Sequence, residues 1–235
     1  MFIKKEQKIF CFNVWVANLF FTLFHADMKI CPVFNNFFGS KKLFTAQILR
    51  KNPQTQAEEP IDVFITRLDK SDIERIEADS KNWENTESGD IILNSLKVNE
   101  KIEKPEQKEN RKFYGIELPQ KNGKRKIIAM AYATDSFQDN SVYIDFIQTL
   151  KPPYIEEKLK GAGSCLMYAI LDMAKNRCAE NISLESSTPA IPFYQKLGFD
   201  SDRLWHFLAQ KEQMKAMHSN LRQKYLITEA EKEKV

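Results

Sequence analysis

Between residues 113 and 199 the hydrophobic period changes from strand-like to helical and back, and that order constrains the fold more than any other feature of the chain. Phe113 to Leu118, Lys126 to Thr134 and Ser141 to Leu150 are three strand-like runs in close succession. Asn122-Gly123 and Asp139-Asn140 join them with turn chemistry, so an antiparallel meander is expected. From Ser164 to Arg177, Leu166, Ile170 and Met173 share one side of a helix, with Asp172, Lys175 and Asn176 opposite. Ile182 to Glu185 alternates like a short strand, and Ala190 to Leu197 reads as a helix ending at Gly198. A meander followed by strand-helix alternation implies an α/β (α+β) chain with a mixed sheet.

The 235 residues suit one large domain with extensions at roughly 150 residues per domain. Lys and Arg number 35 against 32 Asp and Glu, a net charge of +3 that gives no electrostatic case for a nucleic-acid partner. Ten of the 17 Phe fall in residues 1 to 50, and Ile9 to Ala26 is mostly apolar behind Lys4, Lys5 and Lys8. That run reads three ways: a signal-like leader, a short anchor, or an upstream extension ahead of Met28. Asn13, Asn18 and His25 interrupt it, and Phe24-His25-Ala26 is a poor cleavage site. Residues 1–58 are therefore taken as an accessory segment, 59–220 as the main domain and 221–235 as a charged tail.

Within the main domain Ile61 to Ile65 alternates like a strand, and Ser71 with Glu74 has capping-box spacing before Ile73 and Ile76. Val98 to Lys112, charged and carrying Pro105, reads as a mobile loop, and Leu204 to Val235 reads largely as charged helix, with Met214 to His218 a candidate strand. Cys11, Cys31, Cys165 and Cys178 lack CxxC spacing and read as reduced thiols in a cytoplasmic setting. His25, His206 and His218 lack ligand spacing, so no metal is expected.

The chemistry concentrates in Lys158-Leu159-Lys160-Gly161-Ala162-Gly163-Ser164, just before the long helix. Glycines let the backbone approach a ligand closely, and the unpaired N–H groups of a helix's first turn attract an anion such as a pyrophosphate. The loop lacks the third glycine of a dinucleotide-binding fingerprint and the Gly-Lys-Ser/Thr of a Walker A loop.

Lys158-x-x-Gly161-x-Gly163, followed by Ala190-x-x-Phe193-Tyr194-x-Lys196-x-Gly198-Phe199, resembles the GNAT superfamily of acyl-CoA-dependent N-acyltransferases, most closely from Tyr143 to Phe199. The resemblance implies a mostly antiparallel sheet splayed between Ser141–Leu150 and Ile182–Ser186, flanked by helices, with acetyl-CoA as the acyl donor in the cleft. It implies that the backbone of Ile147, Gln148 and Thr149 pairs with the pantetheine arm, and that Gly161, Ala162, Gly163 and Ser164 hold the pyrophosphate. Lys158 replaces the usual Gln or Arg, and Ser187 stands where many members have an Asn. Tyr194 occupies the position that protonates the departing thiolate. Asp145 and Glu117 are the candidate bases, with Glu185 a third choice. The segment from Lys151 to Glu157 is longer than in compact members. The expected partners are acetyl-CoA and an amine acceptor, without nucleic acid; membrane contact through residues 9–26 and a homodimer stay open. The alternative is a silent GNAT-like module that binds CoA or a protein.

Overall fold

The structure is a computed structural model and describes residues 42–52, 54–78, 83, 86, 88–101, 110–151, 155, 158–201 and 203–227. The apolar run 9–26 and the rest of residues 1–41 lie outside these, as do residues 152–154, 156 and 157 of the insertion and 228–235 of the tail.

The strands are β1 (Lys42–Lys51), β2 (Glu58–Arg67), β3 (Arg111–Pro119), β4 (Arg125–Ser136), β5 (Ser141–Thr149), β6 (Lys158–Lys160), β7 (Asn181–Glu185), β8 (Asp200–Ser201) and β9 (His206–Gln210). The helices are α1 (Ile73–Ala78), α2 (Gly89–Lys101), α3 (Ala162–Asn176), α4 (Ile191–Leu197) and α5 (Lys211–Tyr225). Among the described residues the nine strands form one sheet in the order β6-β1-β2-β3-β4-β5-β7-β9-β8. Every pairing is antiparallel except β5 with β7, which is parallel. This is the mixed, mostly antiparallel sheet expected.

The meander β3-β4-β5 forms where the turn residues predicted it. Gly123 has φ 77° and Asn140 φ 46°, left-handed values tolerated by glycine and asparagine at tight corners. β4 is sealed on both faces, with Ile127 through Ala133 all buried. α3 packs on β3, β4 and β5 through an almost wholly apolar side that includes Leu166, Ile170 and Ala174. Tyr114 on β3 feels the Asp172 carboxylate of α3, whereas Glu117, of opposite parity on the same strand, bonds Arg75 of α1. Helices α1 and α3 therefore cover opposite faces of the sheet.

Four readings of the sequence change. Lys42–Lys51, assigned to the accessory segment, is a full sheet strand: Ala46 and Ile48 are buried while Gln47 and Leu49 are exposed, a period of two the composition argument overlooked. The stretch read as a loop from Val98 is helix α2 up to Lys101, and β3 begins at Arg111. Met214 to His218 is not a strand but part of α5, because Met214, Met217, His218 and Leu221 recur at helical spacing and are its buried side. α5 also carries the domain past residue 220, and Leu226 bridges to Ala46 of β1. The last hairpin is β8 with β9.

Cys165 is free and buried, while Cys178 is disulfide-bonded, which corrects the reduced-thiol reading at that position. Among the described residues no helix is long and apolar enough to cross a membrane.

Candidate active site

The parallel β5–β7 ladder runs from Ser141↔Asn181 to Ile144↔Leu184 and stops there. β5 continues to Thr149 while β7 ends at Glu185, so the sheet parts along Asp145 to Thr149. Backbone N–H and C=O groups on that side of β5 face no strand and are available to an extended ligand. The parting coincides with a β-bulge. Tyr132 pairs with Phe146 and Ala133 with Ile144, leaving Asp145 as the extra residue of β5. Bulges twist a strand and re-aim a side chain. Here the Asp145 carboxylate accepts a hydrogen bond from Thr134 Oγ1 at 2.8 Å.

β6 leads into Gly161, whose φ of 109° turns the chain from the sheet edge into α3. No side chain caps that helix, and the first intrahelical bond is Cys165 N–H to Gly161 O at 2.9 Å. The N–H groups of Ala162, Gly163 and Ser164 thus lack intrahelical acceptors. A Cβ built at Gly163 lies 3.6 Å from Phe193 Cζ and 3.7 Å from Thr149 Cγ2. The end of β5, the first turn of α3 and helix α4 therefore meet at one point. Gln148 braces it: its Oε1 accepts from Ser88 N–H at 3.3 Å and its Nε2 donates to Thr149 O at 2.9 Å.

Tyr194 is buried against Phe193, Phe199 and Phe207, with ring centroids 5.0, 5.9 and 5.8 Å away. Burial pushes its phenol up to about 12, so the hydroxyl keeps its proton across neutral pH. Among the described residues that hydroxyl makes no hydrogen bond. α4 is pinned by Gly198, φ 102°, whose N–H reaches Gln195 O and Tyr194 O.

The three candidate bases have different surroundings. Asp145 lies at the parting of the sheet. Glu185, the last residue of β7, is exposed and pairs with His206. Glu117 is 2% exposed and lies two strands from β5, with Oε1 2.5 Å from Arg75 Nη2 and Oε2 3.3 Å from Arg125 Nη1. Both of its oxygens are engaged by guanidinium groups. Ser187 is exposed and opens the turn into α4, and Lys158 is exposed as the first residue of β6. The sequence reading overlooked Thr134, Tyr143 and the Arg75–Arg125 clamp. Tyr143 has its pKa raised, first by burial and then by Glu185 and Asp145, so it is within electrostatic reach of both carboxylates. Arg125, Thr134 and Tyr143 lie near strand ends and Arg75 lies in α1, and no motif marks any of them.

No curated protein matches the chain. Among solved structures it is similar to a paia N-acetyltransferase from Thermoplasma acidophilum in complex with coenzyme A, at 18% identity and TM-score 0.42, covering 63% of this chain and 97% of that one. It is also similar to a ribosomal-protein alanine N-acetyltransferase from Escherichia coli (18%, TM-score 0.41, 62% and 89% covered). A spermidine N-acetyltransferase from Vibrio cholerae is a third (12%, TM-score 0.42, 64% and 96%). The model of the Acetyltransferase (GNAT) family matches residues 121–199, the stretch that holds β5, the glycine loop, β7 and α4. The resemblance read from the glycine loop and the Tyr194 motif is thus matched by the GNAT acetyltransferase family model over residues 121–199.

Proposed function

We propose that the protein is an acetyl-CoA-dependent N-acetyltransferase that acts on a primary amine. The observation that carries this reading is the parting of β5 from β7 beyond Ile144, next to an uncapped helix N-terminus at Gly161–Ser164. Pantetheine amides pair with the backbone of Ile147, Gln148 and Thr149 as an added strand, and the diphosphate sits on the N–H groups that open α3.

The acceptor nitrogen must lose a proton before its lone pair can attack the thioester carbon. Asp145 accepts that proton through an ordered water, held in place by Thr134. Attack forms the C–N bond and a tetrahedral oxyanion, whose collapse breaks the C–S bond. Tyr194 then gives its proton to the leaving sulfur. A phenol at about 12 is a weaker acid than an ordinary thiol, but the same apolar pocket raises the basicity of a thiolate held inside it and narrows the gap. Glu117, clamped by two arginines, is a structural ion-pair centre in this scheme. Glu185 flanks the acceptor entrance.

The test is titration of acetyl-CoA and CoA into the full chain, followed by thiol release against a panel of amines and peptides. Binding with Tyr194-dependent release supports the proposal. Absence of binding refutes it, and binding without turnover points to a silent CoA-binding module.

A further inference from the structure

The C-terminal end of α5, outside the segment matched by the family model, touches the glycine loop directly. After Tyr225 the helix gives way to extended chain at Leu226, with φ −85° and ψ 136°. Leu226 bridges to Ala46, and Ile227 N–H donates to Thr45 O at 3.3 Å. On β1, Leu49 to Lys51 pair with β6, so β6 and this arm are both partners of β1, with Gln47 and Ile48 between the two contacts. Gly161 follows β6 at that interval. A Cβ built on Gly161 falls 2.8 Å from Tyr225 Cε1 and 3.4 Å from Ile48 Cγ2. The Tyr225 ring therefore forms a wall of the left-handed turn that opens α3.

Lys224 is exposed, and its Nζ lies 5.2 Å from the centroid of the Tyr225 ring. The same ring borders Gly161, so the ammonium and the loop share Tyr225 as a neighbour. Among the described residues Lys224 forms no ion pair, whereas Lys160, just before the loop, is paired with Glu58. A cation without an ion-pair partner, two residues before the chain bridges to β1 at Leu226, favours an anion at the loop.

We propose that Lys224 is a binding residue for a phosphate of the acyl-CoA nucleotide, and that Tyr225 is a positioning residue that fixes the turn at Gly161. This rests on the acyl-CoA reading above and adds to it an element from the far end of the chain. Two phosphates share this chemistry, the diphosphate bridge and the 3′-phosphate.

The experiment is calorimetric titration of the full-length protein, wild type, Lys224→Ala and Lys224→Arg, with CoA, dephospho-CoA and phosphate-free acetyl-pantetheine. Lys224→Ala is expected to weaken CoA by about 5-fold or more, and Lys224→Arg to restore it to within about 2-fold. Acetyl-pantetheine affinity should not change, because that probe carries no phosphate, and the thermal midpoint should shift little, because the side chain is exposed and its one protein contact among the described residues is the Tyr225 ring. An equal loss with dephospho-CoA assigns Lys224 to the diphosphate; a loss with CoA alone assigns it to the 3′-phosphate. Wild-type CoA affinity in Lys224→Ala overturns the proposal and leaves the acyl-CoA reading standing. Failure of the wild type to bind CoA overturns both.

Discussion

Gly161 and Gly163 lie two residues apart in one loop, yet alanine at each is expected to act in opposite directions. Gly161 has φ 109°, where a side chain costs about 1–3 kcal/mol of backbone strain. Its new methyl group would also lie 2.8 Å from the Tyr225 ring, which must move, adding about 1 kcal/mol or more. Gly161→Ala should therefore lose about 2–4 kcal/mol, a fall in Tm of roughly 5–15 °C for a domain of this size. Gly163 sits in the first turn of α3, and a Cβ there meets Phe193 and Thr149 at 3.6 and 3.7 Å, ordinary contact distances. Gly163→Ala should gain up to about 1 kcal/mol from reduced unfolded-state entropy. Urea and thermal unfolding measure both, and CoA titration accompanies them. Gly161→Ala should weaken CoA about 10-fold or more because the loop is displaced, and Gly163→Ala by less than about 3-fold. Equal stability of the two variants would refute the assignment of the strained turn to Gly161.

Tyr194→Phe keeps the three ring contacts and removes one hydroxyl, so kcat should drop by about 100-fold or more with CoA affinity unchanged; an undiminished kcat excludes the phenol as the acid. Asp145→Asn should lower kcat and remove the acidic limb of the pH–rate profile, whereas Glu117→Gln should lower stability by about 1–3 kcal/mol and leave that limb in place. Reversal of these two outcomes moves the base to Glu117. Burial raises Tyr194 from 10.0 and Cys165 from 9.0, each to about 12. Groups whose folded pKa exceeds the unfolded value contribute stability that is complete below the unfolded value and is lost as pH rises through the folded one. Tm should therefore decline from about pH 9 toward pH 12, with a shallower decline in Cys165→Ala. A Tm that is flat to pH 11 contradicts the burial of these groups.

The readable parts of this fold were those with strong local punctuation. Asn122-Gly123, Asp139-Asn140 and Gly198 mark corners that glycine and asparagine make cheap, and β4, β5 and α4 appear within one or two residues of their expected bounds. β1 was hidden because Phe-rich sequence upstream outweighed its alternation. Within α5 the strand expected at Met214 to His218 is absent: its four buried side chains include only three apolar residues, Met214, Met217 and Leu221, and the fourth, His218, is hydrogen-bonded to Asp172 at 3.0 Å, a partner invisible in the sequence. The glycine loop was legible as a motif. Its surroundings were not, since Tyr225 reaches it through tertiary packing from more than sixty residues away in sequence. The same holds for the Arg75–Glu117–Arg125 clamp, which joins α1 to β3 and to the start of β4.

Amide hydrogen exchange with and without acetyl-CoA tests the central claim, the acyl-CoA cleft, most directly. The account predicts slower exchange in two segments, residues 145–149 on the open side of β5 and 161–164 at the start of α3, with the β1–β2 hairpin unchanged. Protection elsewhere on the sheet, or none in either segment at saturating ligand, would contradict it.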